Sequence, residues 1–210
     1  FFSRKAPKID WSLVQQKPDQ ATRTASATVL AQLAQQVENM VVSSADLSNS
    51  DKTDGFLKQT QAMVRGDFSG AFLQAGVAEL TMACVCMGMA LHGGIIPACA
   101  TFFVFSDYMK PAIRMAALME LPVKFIWSHD AFRVGEDGPT HQPVEHEAQI
   151  RLMEKLKNQY DADGKRHGFW EAFFFWNVIS SRGYYINGLE EGRWEYYFRN
   201  GGISETVIYH

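Results

Sequence analysis

An abrupt change of composition near Asn158 divides this sequence into two segments that cannot share one pattern of folding. Of the 27 aromatic residues, 14 lie in residues 158–210, whereas all nine Met, all seven Pro and all three Cys lie before them. Two kinds of polypeptide are therefore joined in one chain of 210 residues. We divide it into an arm at residues 1–20, a first domain at residues 21–157 and a second segment at residues 158–210.

The first domain alternates short apolar runs with helical periodicity, which predicts βαβ units. The strands are predicted at residues 40–42, 72–76, 95–105 and 123–127, and the helices from residue 24 and at residues 78–91, 107–119 and 144–156. Such alternation indicates an α/β fold with a mostly parallel sheet and flanking helices. Ligands of these sheets bind beyond the carboxyl ends of the strands, where Ser44 and His129 are expected in loops.

The stretch with the most functional side chains follows the last predicted strand, at residues 133–143. It contains two carboxylates, one imidazole, two Gly and two Pro. Gly and Pro fix unusual backbone paths, and imidazoles exchange protons near neutral pH. A solvated loop of turn-forming residues explains the same composition, so both interpretations stay open.

Glu79 begins a predicted helix whose next residues are almost wholly apolar. It is either a first-turn carboxylate favoured by the helix dipole or a desolvated acid. Phe102, Phe105 and Tyr108 recur at three-residue steps, a spacing more typical of a core than of a cofactor platform.

Charge and cysteine usage exclude several classes of protein. The formal net charge of −3 gives no basic field for nucleic acid or an anionic membrane. The three cysteines are predicted to be reduced thiols that pack as small hydrophobic side chains. Reduced thiols favour a location in the cytoplasm. The spacings of His141 with His146 and of Cys84 with Cys86 match no common zinc pattern, so no metal site is predicted.

Six stretches of the first domain carry a family resemblance: ATRTAS, SSADLSNSDKT, GVAEL, GMALHGG, ATFFVFSDYMKPAIRMAALM and HDAFRVGEDGPTHQPVEH. Over residues 21–156 the chain resembles the pyrimidine-binding middle domain of transketolase, a thiamine-diphosphate enzyme. The resemblance implies transfer of a two-carbon ketol unit between sugar phosphates in the pentose phosphate pathway.

The resemblance also implies roles for nine residues. Glu79 matches the carboxylate that hydrogen-bonds the cofactor's aminopyrimidine ring, where it favours removal of the thiazolium proton. The aromatic residues that match positions around that ring are Phe102, Phe105 and Tyr108. The residues that match the group holding the sugar phosphate are Arg23, Ser44 and His129. Asp137 matches the residue that binds a donor hydroxyl, and His141 matches one that assists proton movement.

Two departures from the family limit these expectations. Ala78 and Leu80 stand where many transketolases have Arg and His beside the acid. The family's diphosphate-binding domain, which holds a divalent cation such as Mg²⁺ or Ca²⁺, is not found in this sequence. We therefore expect one wall of a site, inactive alone, that needs a diphosphate-binding domain or subunit in a homo- or hetero-oligomer. Because the chain does not begin with Met, we also expect a fragment or a processed product.

The second segment contains a repeat with an offset of 24 residues. Tyr160, Gly164, Gly168, Trp170 and Glu171 recur as Tyr184, Gly188, Gly192, Trp194 and Glu195. Turn signals at 163–164 and 187–188 predict one β-hairpin per unit, and a third, incomplete copy begins at Asn200. Residues 160–210 resemble MORN-like repeats, which predicts a small all-β ribbon with its aromatic residues on one face.

Two alternatives to the enzyme hypothesis remain at this level. In the first, the chain is a non-enzymatic protein-binding module that works through the ribbon. In the second, it is a chimeric fragment whose two segments have no joint function.

Overall fold

The computed structural model describes residues 7–130, 134–135, 137–153, 164–174 and 178–210. The chain divides into two compact units, residues 1–149 and residues 150–210. The boundary predicted from composition, between residues 157 and 158, lies outside the described residues.

The first unit contains six helices and four strands within its described residues. The helices are α1 (Thr22–Gln36), α2 (Ser48–Asp51), α3 (Asp54–Leu57), α4 (Glu79–His92), α5 (Ser106–Leu118) and α6 (His146–Met153), which runs past residue 149. The strands are β1 (Met40–Ser44), β2 (Phe72–Gln74), β3 (Ile96–Phe102) and β4 (Lys124–Ser128). Among the described helices, none has the length and apolar character needed to span a membrane.

The four strands form one parallel sheet in the order β2-β1-β3-β4. The central strands β1 and β3 are almost entirely buried, as expected of a sheet covered by helices. The α/β architecture predicted from the sequence is therefore confirmed. All four strands direct their carboxyl ends to one edge of the sheet.

The core of this unit lies between α1, α3 and one face of the sheet. Leu30 of α1, Val42 of β1 and Phe56 of α3 are buried in one apolar cluster together with Phe72 and Ala98. Gly55 lets α3 approach α1 closely, because a Cβ at that position would lie 2.4 Å from the carbonyl oxygen of Ala27. This close approach fixes α2 and α3 near the end of β1.

Three details of the first unit differ from the sequence prediction. Strand β1 continues through Ser43 and Ser44, which were expected in a loop, because both pair with β2 and β3. Residues 48–70, in which no helix or strand was predicted, contain α2 and α3. The strand expected at residues 95–105 ends at Phe102 and is followed by a 3-10 turn at Phe103–Phe105.

The second unit is a four-stranded antiparallel sheet in chain order. Its strands are β5 (Gly168–Phe173), β6 (Ile179–Ile186), β7 (Leu189–Tyr197) and β8 (Ile203–Tyr209). The predicted turns at residues 187–188 and 200–201 join β6 to β7 and β7 to β8. The turn predicted at residues 163–164 falls partly outside the described residues, and the link from β5 to β6 was not predicted.

Aromatic residues occupy both faces of this sheet, not one as the ribbon was expected to have. Tyr185 contacts both Trp170 and Trp194 on one face. Phe169 and Tyr184 pair on the opposite face, because neighbours along a strand point to opposite sides. Gly183 makes room for the Trp194 ring, which a Cβ there would approach to 2.3 Å. The buried face is therefore built around Trp194.

Candidate functional site

The predicted site residues of the first unit gather along the carboxyl edge of its sheet. Ser44 ends β1, Phe102 ends β3 and His129 directly follows β4. Glu79 opens α4 five residues after β2. Because the carboxyl ends of neighbouring parallel strands adjoin, this edge is where such a fold builds a ligand site.

Arg23 and His129 meet at this edge. The Arg23 guanidinium donates a hydrogen bond from Nη1 to Nε2 of His129 over 2.7 Å. Nδ1 of His129 therefore carries the ring proton and donates to Oγ of Ser128 at 3.0 Å. Burial and the neighbouring Arg23 charge lower the pKa of His129, although Asp137 and Asp51 oppose that shift. The imidazole is held neutral beside a fixed cation.

A cavity of about 610 Å³ opens beside this pair. Its wall includes Arg23, His129 and Asp137, three of the four residues expected to bind sugar phosphate. Asp137 belongs to the described part of the loop at residues 133–143, whereas Arg133 and Glu136 lie outside it. The described part of this loop thus contributes to a cavity, which favours its functional interpretation.

Ser44, the fourth of those residues, does not reach the cavity. It is buried, and its hydroxyl donates to Oδ2 of Asp51 at 2.7 Å. The extension of β1 directs Ser44 into the interior, away from the cavity wall, and its direct contact with phosphate stays a prediction. Its contact is instead with Asp51, which does line the cavity.

Asp51 is the residue of this site that sequence reasoning missed. It is buried in α2, and the carboxylate also accepts from the backbone N–H and the hydroxyl of Thr53. Burial raises the pKa of Asp51, and the hydrogen bonds from Ser44 and Thr53 lower it in part. The sequence does carry a signal, since Asp followed two residues later by Thr is typical of a side-chain-closed turn.

The three aromatic residues predicted to surround a cofactor form a group with two histidines. Phe102 stacks on His129 with ring centroids 3.7 Å apart, and on Phe105 at 5.7 Å. His141 meets Phe105 edge-on, with ring centroids 5.3 Å apart. Tyr108 lies 6.0 Å from Phe105 but remains 64% exposed. The ring of Tyr108 is therefore accessible to a ligand, whereas Phe102 is buried.

Glu79 is buried at the first turn of α4, 7% exposed. Within the described residues its carboxylate has no hydrogen-bond or ion-pair partner. Its oxygens are not among the enclosed polar atoms that lack a hydrogen-bond partner, so they reach open space at the N-terminus of α4, where the helix dipole favours a carboxylate. This carboxylate therefore fits a ligand that brings a hydrogen-bond donor to it.

A second cluster of ionisable groups lies outside the cavity, where α5 approaches α6. His146 is buried, with Nε2 3.2 Å from Oδ1 of Asp107 and Nδ1 3.8 Å from Oε2 of Glu145. Lys110 pairs with the same Asp107 oxygen at 2.5 Å. Burial opposes ionisation of Asp107, but Lys110 and His146 hold its pKa below the usual range. Asp107 and Lys110 therefore form an ion pair beside the buried His146.

The first unit matches one protein family by sequence. Residues 19–167 match the family described as transketolase, pyrimidine binding domain. A transketolase from Halalkalibacterium halodurans is 49% identical over 144 residues, and one from Bacillus subtilis is 48% identical over 144 residues. Each alignment covers 69% of this chain and 21% of the relative. The chain thus spans about a fifth of the length of these relatives.

Solved structures give the same result. A transketolase from Leishmania mexicana aligns over 63% of this chain and 20% of its own, with 38% identity and a TM-score of 0.61. A transketolase from Campylobacter jejuni aligns over 69% of this chain and 22% of its own, with 39% identity and a TM-score of 0.61.

Proposed function

Because the chain belongs to the transketolase family through its pyrimidine-binding domain, we propose that it supplies the pyrimidine-binding wall of a thiamine-diphosphate site. The reaction proposed is transfer of a two-carbon ketol unit between sugar phosphates. Glu79 carries this proposal, because it is mostly buried, has no partner among the described residues, and keeps its carboxylate oxygens open to a hydrogen bond with an aminopyrimidine.

The residues of this chain fit the pyrimidine end of the cofactor. Bound thiamine diphosphate supplies the carbanion chemistry of ketol transfer. Glu79 would share one proton with a ring nitrogen of the cofactor: the ionised carboxylate would accept a hydrogen bond from a protonated ring, and the neutral acid would donate one to an unprotonated ring. Phe102, Phe105 and Tyr108 present aromatic faces that pack around a flat heterocycle. The mostly exposed ring of Tyr108 leaves room for that ligand.

The cavity beside Arg23 and His129 is proposed as the sugar-phosphate end of the same site. The Arg23 guanidinium offers further N–H donors to a phosphate, and His129 orients it. Asp137 on the cavity wall accepts a hydrogen bond from a donor hydroxyl. His141, whose Nδ1 lies 2.9 Å from the Thr140 hydroxyl, moves a proton near the reacting carbon.

The diphosphate end is proposed to come from a partner. A diphosphate-binding domain or subunit would hold the divalent cation and complete an oligomeric site. Several large apolar side chains of α4 and α5 are exposed, which supports docking of such a partner, since exposed apolar surface of this kind is found at interfaces. They are Leu80, Val85, Tyr108, Met115 and Met119 of α4 and α5 and the adjoining turn. The cytoplasm remains the proposed location.

Calorimetry tests this proposal. The full chain is mixed with the diphosphate-binding domain of the Bacillus subtilis relative, and thiamine diphosphate with Mg²⁺ is titrated in. Binding is expected only when both polypeptides are present. Tyr108→Ala should weaken the affinity about tenfold, whereas Tyr184→Ala, an exposed Tyr of the second unit, should not change it. Absence of binding when circular dichroism shows both polypeptides folded would refute the proposal.

For the C-terminal segment we propose that residues 160–210 are MORN-like repeats. The 24-residue offset supports this assignment, and so do two equivalent edge-on ring contacts, Trp170 with Tyr185 and Trp194 with Tyr209. If the repeats are equivalent, Trp170→Ala and Trp194→Ala should both lower the urea midpoint of this unit. A loss confined to Trp194→Ala would contradict the assignment.

A further inference from the structure

Asp51 places a buried carboxylate in the wall of the cavity that also contains Arg23 and His129. The residue is only 1% exposed. A carboxylate is the opposite of what a site for an anion requires, so its presence in this wall needs a reason of its own.

Three hydrogen bonds hold the Asp51 side chain in place. Ser44 donates to Oδ2 at 2.7 Å, and Thr53 donates to Oδ1 from its N–H at 2.9 Å and from its hydroxyl at 2.7 Å. Lys52, which lies between Asp51 and Thr53 in the chain, has a left-handed backbone conformation with φ of 70°. These hydrogen bonds hold the carboxylate in its position at the cavity wall.

Ser50, the residue before Asp51, contacts Arg23 through its backbone. Nη1 of Arg23 donates to the carbonyl oxygen of Ser50 at 3.4 Å. Asp51 thus positions the guanidinium through the backbone of α2, in addition to placing its own charge near it.

The charges around Asp51 do not neutralise it completely. Among the described residues, Arg23 faces it from α1, Asp54 from α3, and His129 with Asp130 from the end of β4. Asp54 is already paired with Lys58 at 2.6 Å, and β3, which also packs on α2, carries no charged residue. Asp137 adds a further carboxylate to the cavity wall. Burial raises the pKa of Asp51, so that the carboxyl group takes up its proton at a higher pH than an exposed Asp does.

We propose that Asp51 sets the affinity of this cavity for an anion and makes that affinity depend on pH. Ionised Asp51 repels a bound dianion, and protonated Asp51 does not. This inference rests on the proposed function, because it takes the anion to be the phosphate group of a sugar phosphate.

Binding measurements on the full chain test the inference, with sulfate as the probe because its charge does not change across the range used. Wild type and Asp51→Asn are titrated at about pH 8 and about pH 5. At the higher pH, Asp51→Asn should bind sulfate about fivefold more tightly than wild type, and the difference should shrink at the lower pH. His129 titrates in both proteins, so the difference between them isolates Asp51.

Asp67→Asn is the matched control. Asp67 accepts from the N–H and hydroxyl of Ser69 at 2.9 and 2.7 Å, the arrangement that Asp51 has with Thr53, but it is exposed and outside the cavity wall. This variant should bind sulfate as wild type does. Should Asp51→Asn fail to fold, Ser44→Ala replaces it. Loss of the Ser44 hydrogen bond makes Asp51 harder to ionise, so the pH at which sulfate affinity falls should rise.

The outcomes separate this inference from the function on which it rests. Equal sulfate affinities of wild type and Asp51→Asn at both pH values would overturn the role of Asp51 and leave the anion site intact. If neither protein binds sulfate or ribose 5-phosphate, the proposed sugar-phosphate site itself is refuted. Ribose without phosphate should bind both proteins equally, and a gain for ribose in Asp51→Asn would also contradict the inference.

Discussion

Arg23 and His129 are 106 residues apart in the chain, yet Nη1 of one lies 2.7 Å from Nε2 of the other. The contact joins the first turn of α1 to the end of β4 across the carboxyl edge of the sheet. Because a guanidinium stays protonated, His129 can accept this hydrogen bond only as a neutral ring. The pair therefore places one positive charge, on Arg23, and one neutral imidazole, on His129, at the wall of the cavity.

The first prediction concerns the titration of His129. NMR of the ring should give a midpoint below about 6.5, the ordinary imidazole value, because burial and Arg23 both lower its pKa. Arg23→Gln should raise the midpoint, and Arg65→Gln, which changes an exposed cation, should leave it unchanged. Since the folded state then binds fewer protons than the unfolded one, this group should reduce stability as pH falls below that value. A midpoint at or above about 6.5 in wild type would contradict the hydrogen-bond assignment.

The alternation of strands and helices was readable from the sequence because β1, β3 and β4 are short apolar runs separated by periodic helices. The helices α2 and α3 could not be predicted from the sequence, because each has only four residues and so shows no helical periodicity. The error at Ser44 has the same origin. Polar residues at the end of a buried strand resemble a loop, and only the pairing of β1 with both neighbours keeps them in the sheet.

The candidate site was predictable where a residue acts through its own side chain at a strand end, as with His129 and Phe102. Asp51 was not, because its importance depends on burial against Ser44 and on the position of Arg23. Such contacts between distant segments leave no local pattern.

Ser44→Ala should lower the free energy of unfolding by about 2 kcal/mol, since it removes a buried hydrogen bond to a carboxylate. Urea unfolding measures the change. Ser69→Ala removes the equivalent bond to the exposed Asp67 and should cost far less. Similar losses in the two variants would argue against a special role for the buried pair.

Gly183→Ala should destabilise the second unit by at least about 2 kcal/mol, because the new methyl group would overlap the buried Trp194 ring. The loss of stability is measured by urea unfolding followed by Trp fluorescence. Gly202→Ala serves as the control, since its Cβ would meet nothing closer than 3.4 Å. A wild-type midpoint for Gly183→Ala would show that the sheet relaxes around Trp194.

The cysteines should separate into one accessible thiol and two protected thiols. Cys84 is exposed, contrary to its expected packing, whereas Cys86 and Cys99 are buried as predicted. Their mutual hydrogen bond and burial raise the pKa of Cys99, which slows its reaction further. Ellman's reagent should modify one thiol rapidly and the other two only on unfolding. Cys84→Ser should remove the rapid phase, and a rapid phase that persists would contradict this assignment.

The role of Glu79 is tested by exchange of the thiazolium proton of thiamine diphosphate for deuterium, followed by NMR. The sample contains the full chain and the diphosphate-binding domain of the Bacillus subtilis relative. We expect the mixture to accelerate exchange, Glu79→Ala to reduce the rate at least about a hundredfold, and Glu38→Ala, which removes an exposed acid, to leave it unchanged. Exchange as fast with Glu79→Ala as with wild type would contradict the assignment of this chain as the pyrimidine-binding wall of the site.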